Sequence, residues 1–140
     1  MMDLTGVDLV LERPVDVSKV KRALQGVLSV PTEKIAVIYD IAQYPSREAA
    51  EVVCVVSTVG GDFGELLSIQ TEHISIGCDD MVEFAQRVCS NLGVRCLMPL
   101  EGSNPYLMWL LSPDAPPEQV ALDVSELDED RYVVRTPKPA

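Results

Sequence analysis

EVVCVVSTVGGDFGELLSIQTE, residues 51–72, decides how this chain folds. Val52, Val53, Cys54, Val55 and Val56 form an almost unbroken β-prone run. A run of this kind predicts a strand over residues 51–59, buried on both faces near the centre of a sheet. Gly60-Gly61-Asp62 supplies hairpin turn chemistry. Over residues 65–72, Leu67, Ile69 and Thr71 alternate with Leu66, Ser68 and Gln70, which predicts a partner strand pairing back. The paired glycines do not make a phosphate loop. Neither GxxxxGK followed by Ser or Thr nor GxGxxG is present, and Asp62 and Glu65 would repel an anion there.

Upstream, Val7, Leu9 and Leu11 alternate with Asp8, Val10 and Glu12, a strand pattern over residues 5–12. Val17, Val20, Leu24, Val27 and Leu28 recur at helical spacing and predict a helix over 17–28, capped by Asp16 or Ser18. A second strand is expected over 35–40, joined to the central strand by a long hairpin connection over 41–50. Downstream, Asp79-Asp80 opens a second helix that runs to Leu92 and stops at Gly93. Strands are expected over 94–98, 106–111, 119–124 and 131–135, with a proline-rich loop over 112–118 and a frayed tail over 136–140. Runs of strands joined by short turns, with two helices, predict an α+β fold. It is a single two-layer domain over 1–135, a mostly antiparallel sheet with both helices on one face.

At 140 residues and 47% hydrophobic residues, the chain can fill one core without disulfide or metal staples. No basic start leads into an apolar signal run, and no stretch is long enough to span a membrane. Cys54, Cys78, Cys89 and Cys96 fit no CxxC or zinc spacing and read as buried free thiols of a cytoplasmic protein. Between Gly60 and Asp130 lie fourteen acidic residues against Arg87 and Arg95, a formal charge of −12 where the whole chain carries −11. A field of this sign repels nucleic acid and attracts a cationic partner, although a negative surface also serves solubility alone.

No catalytic residue, metal ligand or cofactor site is expected. The segment LDED lacks the calcium-loop ladder. His73, the only histidine, lies five residues before Cys78, and a nucleophilic pair would need the two in contact. The expected partner-binding residues are Asp62, Glu65, Glu72, Asp79, Asp80, Glu126, Asp128, Glu129 and Asp130, with Tyr44 and Trp109 as aromatic anchors. Arg47, in the same loop as Tyr44, is a further contact candidate.

The Gly61-Asp62-Phe63 turn leads to the DD-initiated helix, then LGVRCLM (92–98), SNPYLMWLL (103–111) and ALDVSELDEDRYVV (121–134). In this general pattern the chain resembles the small acidic immunity proteins that bacteria encode beside polymorphic or contact-dependent toxins. The resemblance implies a monomer or homodimer that docks onto a basic toxin domain, and it carries over no site residue. A type III secretion chaperone is the alternative, although its family places helices where strands are expected at the ends of this chain. A small enzyme or ligand-binding domain using His73, Cys78 or the acidic residues is the third reading.

Overall fold

The computed structural model describes residues 2–46, 48–100, 102 and 104–135. Arg47, Glu101 and the expected tail over 136–140 lie outside the described residues. The first half of the chain forms β1 (Met2–Leu11), α1 (Val17–Leu28), β2 (Ile35–Ile38), β3 (Val52–Thr58), the two-residue β4 (Gly60–Gly61) and β5 (Glu65–Ile76). The second half forms α2 (Met81–Leu92), β6 (Cys96–Pro99), β7 (Leu107–Ser112) and β8 (Ala115–Leu122). It ends with the short helix α3 (Val124–Leu127), β9 (Arg131–Tyr132) and β10 (Val134–Arg135).

Eight strands make one sheet in the order β10-β8-β7-β6-β1-β5-β3-β2. Every neighbouring pair is antiparallel except β2 and β3. Alternation along the strands sends Leu9 and Leu11 of β1, Leu67 and Ile69 of β5, and Val52, Cys54 and Val56 of β3 into the main core. Both long helices pack on that side, α1 through Val20, Leu24 and Leu28, and α2 through Phe84, Val88 and Leu92. The α+β class and the mostly antiparallel sheet are as expected from sequence, and α1 has the bounds its periodicity predicts. Helix α2 starts at Met81 because Asp80 caps it, its Oδ1 accepting from the Glu83 N–H at 2.8 Å. Gly93 ends the helix in the left-handed conformation at φ 71°.

Several expectations fail for local reasons. Asp16 sits at the start of α1, but its side chain caps no N–H; its carbonyl accepts from Lys19 and Val20 instead. β2 and β3 are parallel, so residues 39–51 are a crossover and not a hairpin. Their length is what a parallel connection requires. β3 lies second from the edge, inside β2, and not at the centre. The proline-rich stretch over 112–118 is a strand for most of its length. Pro116 and Pro117 sit where the β7–β8 register shifts between Leu110 and Ser112, and a bulge tolerates residues with no N–H to give. The strand expected over 119–124 ends at Leu122, since Asp123 caps α3 by accepting from the Glu126 N–H at 3.1 Å.

The sheet's other face carries a second, smaller core. Val10, Leu97, Met108 and Leu122 from the strands enclose Phe63, with Leu127 of α3 and Tyr132 of β9 packed around them. Gly60-Gly61 lies in the connection of the antiparallel β3–β5 hairpin, as expected, and there also forms a short strand pairing in parallel with Arg131 and Tyr132. Gly61 has φ 96°, and a Cβ there would lie 2.6 Å from the Tyr132 carbonyl oxygen, so only glycine permits this approach.

Candidate protein-binding surface

The β4–β9 pair brings distant acidic residues together. The Gly60 N–H donates to the Asp130 carbonyl at 3.2 Å, and the Asp62 N–H donates to the Tyr132 carbonyl at 2.8 Å. The Asp62 carboxylate in turn accepts from the Val134 N–H at 3.2 Å. Asp62 is thereby held beside the turn that carries Asp128, Glu129 and Asp130, all exposed. Asp130 itself adopts φ 57°. Glu126 pairs with Arg131 at 2.7 Å, but among the described residues no ion pair engages Asp128, Glu129 or Asp130. Phe63 anchors the base of this face and is fully enclosed, with the Arg95 guanidinium 5.7 Å from its ring centroid and Arg95 also pairing with Glu12.

The remaining candidates lie elsewhere. Asp79 and Asp80 stand at the N-terminus of α2, on the helix-covered side. Both are tied into its first turn, where the Asp79 N–H donates to Glu83 at 2.7 Å. Glu65 is half-buried, with its carboxylate 3.4 Å from the Val15 N–H. Glu72 and Tyr44 line one cavity of about 540 Å³ between α1, β3, β5 and the crossover, and the Tyr44 hydroxyl donates to Gln70 at 3.0 Å. Trp109 is half-buried and lines a different, largely apolar groove with Val7, Met81, Val82 and Met98. Of the eleven expected contact residues, the fold gathers Asp62, Glu126, Asp128, Glu129 and Asp130 on one face and spreads the others over four sites. Asp8, which borders the Trp109 groove and whose charge acts on Tyr132, was not singled out in the sequence. Its alternation with Val7 and Leu9 marks only a wet strand position.

The thiol chemistry is that of a core. Cys54, Cys78, Cys89 and Cys96 are all free and buried. Burial, reinforced by Glu65, pushes the Cys54 thiol up to about 12, and burial likewise raises Cys78. His73 is exposed at φ 53°, where β5 bulges against β1, while Cys78 is enclosed, so the two occupy different environments. Among the described residues no cluster of His, Cys, Asp and Glu has the geometry to hold a metal ion. No helix among them is long and apolar enough to cross a membrane. No family model, curated protein or solved structure matches the chain.

Proposed function

We propose that this chain is a bacterial immunity protein that neutralises a basic toxin domain by docking on it through the face formed by Asp62, Glu126, Asp128, Glu129 and Asp130. One observation carries the reading. The parallel pairing of β4 with β9 fixes Asp62 against the acidic turn, so a dense negative field is mounted on hydrogen-bonded backbone. Such a field speeds encounter with a cationic protein, and acid–Arg pairs desolvated on docking would then set specificity. A preformed backbone supports tight binding because little conformational entropy is lost on association.

The test is co-expression with the product of the adjacent gene. That protein should arrest growth when expressed alone, co-purify with this chain, and lose its toxicity in the chain's presence. A variant carrying Asp62→Lys, Asp128→Lys, Glu129→Lys and Asp130→Lys should fold but fail to protect. Full protection by the charge-reversed variant would remove this face from the interface.

A further inference from the structure

β1 is the fifth of eight strands, yet Thr5, Gly6 and Asp8 are exposed along it. The cause lies on its β6 side. β1 pairs with β5 from Met2 to Leu11, but with β6 only at Val10 opposite Leu97 and Leu11 opposite Cys96. Continuing that register would set Asp8 opposite Pro99. The Glu12 N–H donates to the Arg95 carbonyl at 2.9 Å, so the residues of β1 that turn their backbone toward β6 are Glu12, Val10, Asp8 and Gly6. The next bond of the ladder would be a donation from residue 99 to the Asp8 carbonyl, and proline has no N–H to give. The ladder therefore stops, and among the described residues no strand pairs with the Asp8 and Gly6 edge on that side.

The opening is not bare backbone. A cavity of about 500 Å³ lies against Gly6, Val7 and Asp8, walled by Met81, Met98 and Trp109. Its polar surroundings are acidic. Asp8 is in the lining, and exposed Asp79 and Asp80 immediately precede Met81. A strand edge with no partner among the described residues, beside an apolar pocket, is the geometry of β-strand addition, in which main-chain bonds give affinity and the pocket selects a side chain. Flexible methionines beside an aromatic ring suit an aliphatic side chain.

We propose that an extended segment of a cationic partner protein adds to β1 at this opening. Its backbone pairs with Gly6 and Asp8, one aliphatic side chain enters among Val7, Met81, Met98 and Trp109, and a Lys or Arg lies beside Asp8. The cationic character of the occupant rests on the function proposed above and on the local acids; the open edge does not depend on it.

The experiment titrates isotope-labelled protein with a short acetylated and amidated peptide of alternating leucine and lysine. Binding should move the Gly6 and Asp8 amide protons downfield, slow their exchange with solvent, and change the emission of Trp109, the single tryptophan. Two control peptides should bind at least about tenfold more weakly: one with central prolines, and one with glutamate in place of lysine. Asp8→Pro should abolish binding while sparing the β1–β5 bonds, since Asp8 faces away from β5. If that variant does not fold, the proline peptide decides. Absence of binding, equal binding of the proline peptide, or binding that leaves the Gly6 and Asp8 amides unmoved would overturn the proposal. The charge-reversed variant of the Asp62–Asp130 face should bind the peptide as the native chain does, which separates failure of the cleft from failure of the acidic face.

Discussion

Gly61→Ala tests whether the acidic face is held as described. A Cβ at position 61 would lie 2.6, 2.7 and 2.8 Å from the Tyr132 carbonyl oxygen, nitrogen and carbonyl carbon. These are backbone atoms that no rotamer change can move aside, so β4 must separate from β9. Separation removes the Gly60–Asp130 and Asp62–Tyr132 backbone bonds and the Asp62–Val134 bond. At about 0.5–1.5 kcal/mol for each of the three bonds, the loss is about 1.5–4.5 kcal/mol. Keeping the pair would instead impose φ 96° on alanine as well as the clash, so relaxation by separation is the cheaper course. Gly60→Ala is the matched control. Its Cβ would meet only the flexible Arg131 side chain, at 3.3 Å, and should change stability by less than about 0.5 kcal/mol. Urea unfolding of both variants gives the stability difference from the midpoint at unchanged slope. Amide exchange at Gly60 and Asp62 shows whether the pair has opened. Equal stability of the two variants, with both amides still protected in Gly61→Ala, would refute the reasoning.

Three further outcomes follow from individual residues. Asp80→Ala removes the acceptor for the Glu83 N–H and should cost about 1 kcal/mol in thermal or urea unfolding; unchanged stability would contradict the cap. All four thiols should resist an aromatic disulfide reagent in the native protein and react together in denaturant, since the core encloses every one of these sulfurs and burial further disfavours the reactive thiolate at Cys54 and Cys78; rapid labelling of any one in the native state would contradict this. Burial, then Asp8 and Asp130, raise the Tyr132 phenol. The stability tied to this shift is therefore fully present below the unfolded phenol value near ~10 and is lost as pH rises through the higher folded value. Tyr132→Phe should lose less stability than the native chain between pH values on either side of that range, and an identical alkaline loss would exclude the effect.

The helices and the longest strands were legible because they are governed by local chemistry. The apolar spacing of Val17 to Leu28 and the Asp80–Gly93 bracket specify α1 and α2 without reference to the rest of the chain. The run from Val52 to Val56 specifies a strand, but its direction relative to β2 depends on where the crossover leads, and no residue within the run encodes that. Pro116 and Pro117 read as a loop because sequence does not reveal that a bulge will absorb them. The acidic candidates were identifiable as charges and not as a face. Asp62 meets Asp130 only because Gly61 admits the Tyr132 backbone, a contact between segments some seventy residues apart. Pro99 carried the signal for the opening beside β1, but it could be read only once Val10 was seen opposite Leu97.

The most direct measurement is the rate of association between this chain and the basic protein with which it co-purifies, followed by the anisotropy of a dye attached to that protein as ionic strength is raised. For the native chain the rate should fall by at least about tenfold as the Debye length shrinks from ~30 Å at 0.01 M to ~3 Å at 1 M salt. The variant reversed at Asp62, Asp128, Glu129 and Asp130 should associate slowly at low salt and lose most of that dependence. Equal rates and equal salt slopes for the two chains would contradict an interface built on this face.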